Sequence, residues 1–362
     1  MSQGPHPHRR ERADYSRPAV DVQRQLSLAG LCVTLLAGCD LGPTRTDPSL
    51  GPPLHALSSV PRSGQGLGCA TDESNCGVPV DTSFEFTFDR LLLPSTAVRQ
   101  SIVVSSGPNV GGPFFSPRYD VLERRLTYVP SGWLEGKALY RVRLPVVKSA
   151  LDYGLRAFDG APLSAGVVPT QFSFVTAAGP GESSPRTPFQ EPTCDDISAL
   201  LAAHCASGCC HGGESPAMGL RLDSIDGLSA TAIERVAHQT ETGNTVGIPF
   251  SDPARFGVGM PIIFAGEPAS SYLIYKLLLS PENLEPCQGP ACAFDSLPGA
   301  RTCTPLPSDE RERLASWFVL GEAMPIVQPA ADADCLPPDN RPLDCGEMRA
   351  LTRFIEQGAR CP

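Results

Sequence analysis

Fourteen cysteines in 362 residues, twelve of them beyond position 39, constrain this chain more than any other feature. So many thiols are tolerable only where they are oxidised or ligated, which places the folded part outside the cytoplasm. Their distribution also divides the chain. Cys69 and Cys76 precede a long cysteine-free stretch, at a spacing that suits one small disulfide loop. The other ten fall between Cys194 and Cys361, in a segment of different character.

The N-terminus agrees with export. Residues 1–25 are polar and rich in Pro and Arg, and the apolar run Leu26 to Gly38 leads directly into Cys39. Thirteen residues are too few to span a bilayer but suit the apolar core of a signal peptide. Leu36-Ala-Gly-Cys39 resembles the bacterial lipobox, which implies cleavage after residue 38 and a lipid on the Cys39 sulfur. The alternative is an ordinary signal peptide in which Cys39 has no role. Asp40 would favour inner-membrane retention under the enteric rule, so the choice of membrane stays open. No later apolar stretch approaches eighteen residues, so the lipid is the one membrane attachment expected. Residues 39–58, rich in Pro, Gly and Thr, are expected to form a flexible tether. The net charge of −10 becomes more negative without the five leader arginines, which excludes nucleic acid as a natural partner.

From residue 59 to 177 the pattern is β. Phe84, Phe86 and Phe88 alternate with Glu85 and Thr87, which puts three rings on one strand face. Ile102–Val104, Leu126–Val129, Leu139–Leu144 and Phe172–Val175 are further short strands, separated by turn residues, as in a two-sheet sandwich. The order Phe88-Asp89, Ser95-Thr96, Leu126 to Pro130, Tyr140 to Val142 and Phe172 to Phe174 resembles the bacterial Ig-like domain of S-layer and other exported proteins. The resemblance implies an all-β spacer or adhesion module.

Residues 178–193 read as a linker. Thr193-x-x-Asp196 then forms a capping-box start for a helix carrying Ile197, Leu200, Leu201 and His204. At its end stand Cys205, Cys209, Cys210 and His211. Two thiols with a histidine directly after the second are the attachment pattern of a c-type haem, the imidazole becoming an axial iron ligand. The usual spacing leaves two residues between the thiols; here there are four, and Cys209 is an extra thiol. Two alternatives stay open: a disulfide framework without haem, and a zinc site drawn from His204, Cys205, Cys209, Cys210 and His211.

Downstream, Gly219-Leu-Arg-Leu222, Gly266-Glu-Pro-Ala-Ser-Ser-Tyr-Leu-Ile-Tyr-Lys-Leu277 and Leu306 to Gly321 come in order. With Cys…Cys-His-Gly they resemble a small cytochrome c-like module of planctomycete and myxobacterial type. That resemblance implies haem c on Cys205 and Cys210 with His211 on the iron, in a mainly α domain over 194–362. The family places a Met-Pro, the expected distal ligand, between the last two blocks. Here Leu278 to Pro305 holds no Met, while Met260-Pro261 and Met324-Pro325 lie outside it.

The chain also repeats itself. Pro305, Leu306, Glu310, Leu314, Trp317 and Gly321 recur thirty-seven residues later as Pro342, Leu343, Glu347, Leu351, Phe354 and Gly358. The spacing predicts two amphipathic helices of one design, the second packed beside the first. Ser and His are too scattered for a triad and no Gly-rich phosphate loop occurs, so no enzyme activity is expected. The expectation is a multidomain envelope lipoprotein, β-sandwich then α. Its haem module would transfer electrons or sense a ligand beside a redox or envelope partner; the alternative is a disulfide-stabilised structural or binding protein without haem.

Overall fold

The computed structural model describes residues 51–69, 76–106, 115–147, 153–181, 191–237, 259–280, 303–319, 323–325, 337–339 and 341–361. Residues 1–46 are one unit and Asp47–Pro362 another; the first, with Cys39 and the lipobox, lies outside the described residues.

Eight strands make two sheets: β1 (Leu54–Val60), β2 (Phe84–Phe88), β3 (Val103–Ser106), β4 (Phe115–Asp120), β5 (Arg125–Pro130), β6 (Leu139–Arg143), β7 (Leu163–Ser164) and β8 (Gln171–Val175). The five-stranded sheet runs β4-β5-β2-β1-β7 and the three-stranded sheet β3-β6-β8. All pairings are antiparallel except β1 with β7. The alternation in β2 does what period-two patterning requires: Phe84, Phe86 and Phe88 are all fully buried. Phe84 meets Phe174 of the facing sheet edge-on at 5.8 Å, and Phe86 meets Phe172 at 6.4 Å. Each such ring removes apolar surface worth about 2–3 kcal/mol from water. The order begins earlier than the composition suggests. Leu54 and Ala56 are buried in β1, inside the stretch expected to be tether, because Ala56 pairs with Phe88 and Leu54 with Leu163.

The helices come after the sheets: α1 (Cys194–Cys205), α2 (Ile225–Thr231), α3 (Tyr272–Leu278), α4 (Ser308–Trp317) and α5 (Cys345–Glu356). Thr193 and Asp196 cap α1 reciprocally, and Asp344 and Glu347 do the same for α5. Every residue of α3 is buried, so it is the centre of the helical part. Cys194–Cys361 ties the start of α1 to the end of the chain, and Cys303–Cys345 ties the approach to α4 to the start of α5. Cys69–Cys76 closes the small loop before β2. The repeated helices find different principal neighbours. Helix α5 lies against α1, while α4 turns toward the sheets. Their polar faces carry the reason, since Glu310 and Glu347 pair with different neighbours.

Sheets and helices join through a shared core. Leu91, Val121, Leu122 and Phe158 from the β part are buried in one cluster with Ile197, Leu277, Leu314 and Leu351. Phe158 meets Phe318 edge-on at 5.1 Å. Around this seam Arg90 donates Nε to Glu310 Oε2 at 2.8 Å and Nη2 to Asp159 Oδ2 at 2.8 Å. Arg349 of α5 donates to Asp120 at 2.6 Å and to Glu123 at 2.5 Å. The buried charges are thus paired and bonded, the condition under which burial of ions is tolerated.

Candidate functional site

Helix α1 ends at Cys205, and Ala206 leaves helical geometry. The chain then folds back on itself. His211 N–H donates to the Cys205 carbonyl at 3.0 Å, Cys210 N–H to Ser207 at 3.1 Å and Gly212 N–H to Ser207 at 3.2 Å. Two further bonds anchor the turn to the segment after it, Ala217 N–H to Cys210 at 2.6 Å and Leu222 N–H to His211 at 2.7 Å. These bonds bring Cys205, Cys210 and His211 into one turn.

Cys205 and Cys210 carry thiols, the first buried and the second half-buried. Burial, with a smaller contribution from the neighbouring Cys210, pushes the Cys205 thiol up to about 12. It is therefore protonated and a poor nucleophile at neutral pH. Cys209, between them, is disulfide-bonded. The His211 ring is held neutral: burial lowers its pKa most and Lys276 adds to this, while the carbonyls of Ala217 and Leu220 pull the other way. Its Nδ1 is buried without a hydrogen-bond partner. A neutral imidazole with an unpartnered nitrogen, next to two thiols, has the chemical character that haem attachment uses. To that extent the residues fit the group.

The zinc alternative does not fit. Among the described residues no three His, Cys, Asp or Glu side chains converge on a metal position. Cys209 is spent in its disulfide, and His204 points away into a network with Glu347 at 3.2 Å and the Arg341 carbonyl at 3.1 Å. Met260 and Met324 pack against the helical core. Leu278 to Ser280 and the segment from Cys303 are described, but Cys287 and Cys292 lie outside the described residues, as does Cys335.

Two further constellations leave only one faint trace in the sequence. One is the His204–Glu347–Arg341 network; the other is Arg90 with Asp159 and Glu310. Only the thirty-seven-residue repeat, which puts Glu310 and Glu347 in register, could have signalled them.

No protein-family model matches this chain, and no curated protein matches it. Among solved structures, it is similar to a crystal structure of the S-layer protein rSbsC, at 12% identity, TM-score 0.25, over 48% of this chain and 19% of that one. It is also similar to the N-terminal part of the bacterial S-layer protein SbsC, at 12% identity, TM-score 0.23, over 48% of this chain and 31% of that one. The match thus spans a third or less of those proteins and is a weak likeness of structure alone.

Proposed function

We propose that this chain is an exported, disulfide-braced component of the bacterial cell envelope, held at a membrane by lipid on Cys39. Its role is structural or binding, not catalytic. The carrying observation is the oxidised framework: Cys69–Cys76, Cys194–Cys361 and Cys303–Cys345 are bonded, and Cys209 is in another disulfide. No helix among the described residues is long and apolar enough to cross a membrane, which is compatible with attachment through a lipid. The β part is read as an Ig-like spacer that carries the helical part. Replacing Cys39 by Ser should release the protein from the membrane fraction. Unchanged size and membrane association would refute the anchor.

A second reading is favoured by one observation, the orphan buried Nδ1 of His211 beside the Cys205 and Cys210 thiols. On this reading those thiols hold a c-type haem and His211 supplies an iron ligand. The haem would provide a one-electron couple or a position for a small ligand. Protein exported from a host with cytochrome c maturation should then show Soret absorption that survives acid-acetone extraction, and Cys210→Ser should weaken that retention. No Soret band in matured protein removes this reading and leaves the first intact.

A further inference from the structure

An open cleft of about 510 Å³ lies along the seam between sheets and helices. That lies within the range of small-molecule sites, which favour such junctions. One wall is β4 with Pro117, Arg118 and Tyr119; another is the segment Gly266 to Ser270; the end of α5 closes the cleft with Arg353 and Glu356. The walls are fixed. Tyr119 packs against both hydrophobic cores, and its hydroxyl accepts from Leu92 N–H at 2.9 Å. Gly266 N–H donates to Ile355 at 2.7 Å, and Tyr275 donates to the Ala269 carbonyl at 2.7 Å. Gly266 has φ +87°, a left-handed geometry that a side chain would strain, so the turn keeps its course.

The charges in this cleft are unevenly used. Arg353 pairs with Glu356 at 3.0 Å. Arg118 and Glu267, both exposed to solvent, line the cleft from walls contributed by the sheet and by the helical part. Neither makes a side-chain hydrogen bond or an ion pair among the described residues, with each other or with anything else. Water solvates both charges in the free protein, and together on one cleft they offer complementary charge to a molecule that carries a carboxylate and an ammonium. Pro117 and Pro268 supply apolar surface with no backbone N–H to satisfy.

We infer that this cleft binds a zwitterionic amino-acid or short-peptide ligand, its carboxylate on Arg118 and its ammonium on Glu267. Arg fits a carboxylate bidentately, and a buried methylene or methyl portion of the ligand would lie on the prolines. The inference deepens the binding role proposed above by naming a ligand class, but it does not depend on the lipid anchor or on haem.

The test is calorimetric titration of the full mature chain with dialanine, N-acetyl-dialanine and dialanine amide. Dialanine should bind, and blocking either end should weaken it about tenfold or more, as loss of a charged hydrogen bond does. Arg118→Gln should weaken dialanine by a similar factor yet leave the amide unaffected. Glu267→Gln should weaken dialanine yet leave the N-acetyl peptide unaffected. Both side chains lack partners in the free protein, so neither variant should lower its melting temperature. No saturable binding up to the solubility of dialanine overturns the inference. So does equal affinity for blocked and free peptides, or a uniform loss across all probes in either variant. Failure of membrane release in Cys39→Ser would bear on the anchor alone.

Discussion

His204 Nε2 lies 3.2 Å from Glu347 Oε1, in a pair that is almost wholly buried between α1 and α5. The other ring nitrogen faces the Arg341 carbonyl at 3.1 Å. A carbonyl can only accept, and an ionised carboxylate can only accept, so both nitrogens donate only when the ring is an imidazolium. Burial works against that charge. The hydrogen bond and charge of Glu347, the Arg341 carbonyl and Asp339 outweigh it and raise the His204 pKa. Burial also works against Glu347, but His204, Arg341 and the Asp344 N–H hold its carboxyl down to about 2.

The pair therefore stabilises the fold within a window. The raised pKa of His204 means that its contribution is complete below the ordinary histidine value and is lost as pH rises through the folded one. The depressed pKa of Glu347 means that its contribution is present above the ordinary carboxylate value and is lost as pH falls toward about 2. In urea unfolding, the midpoint of the wild-type protein should fall between weakly acidic and alkaline pH. In His204→Gln that dependence should be reduced and the acid-side midpoint lowered. Parallel pH profiles for the two proteins would contradict the assignment.

The disulfides should differ in worth. Cys194–Cys361 closes a separation of 167 residues and Cys69–Cys76 one of 7. Loop-closure entropy gives about 5 kcal/mol for the first and about 2.5 kcal/mol for the second. Replacing both cysteines of each pair by Ala should lower the urea-derived stability in that order. A smaller effect from the Cys194–Cys361 deletion would show that the unfolded chain is already compact.

The strand alternation of β2, the cap at Thr193 and the helices around Leu314 and Leu351 were legible because each is a local pattern. Phe84, Phe86 and Phe88 need only period two, and Thr193 and Asp196 need only a spacing of three. The start of β1 was hidden, because Leu54 and Ala56 acquire their burial from partners far along the chain. The packing of α5 on α1 was hidden for a related reason. Periodicity reports that Leu351 and Phe354 face a core, not which core element they face. At the candidate site, residue types showed Cys205, Cys210 and His211 at the end of a helix. They could not show that Cys209 is disulfide-bonded or that His204 belongs to Glu347.

The core of the sheets offers a direct check. Phe86 is fully buried, opposite Leu126 in register and against Phe172 across the layers. Phe86→Ala should cost about 3–5 kcal/mol by chemical denaturation. Phe86→Leu should cost less, since it refills most of the volume. Equal losses would argue that the ring contact, and not the space, is what the site needs.

Glu310 is the residue on which the union of sheets and helices should depend. Both its oxygens are used: Oε2 accepts from Arg90 Nε at 2.8 Å, and Oε1 accepts from Leu91 N–H at 3.0 Å. Arg90 also binds Asp159 at 2.8 Å and the Pro52 carbonyl at 2.6 Å, so the start of β1, the end of β2 and α4 meet at one guanidinium. Arg313 stands 3.6 Å from the same Asp159. Arg90, Asp159 and Glu310 have side chains with 5%, 0% and 5% exposure, so solvent cannot replace a lost partner. Removing one charge leaves the remaining cluster buried and unbalanced, which costs about 3–5 kcal/mol in comparable sites. Glu310→Gln keeps the shape and one acceptor, so it separates charge from packing; Glu310→Ala removes both. In calorimetry the wild-type chain should unfold in one cooperative transition. Glu310→Ala should split it in two, because the disulfides Cys194–Cys361 and Cys303–Cys345 brace the helical part without crossing to the sheets. Glu310→Gln should lower the transition temperature by less. A single unshifted transition in Glu310→Ala would show that the apolar contacts of Leu91, Phe158 and Phe318 hold the seam without the ion cluster.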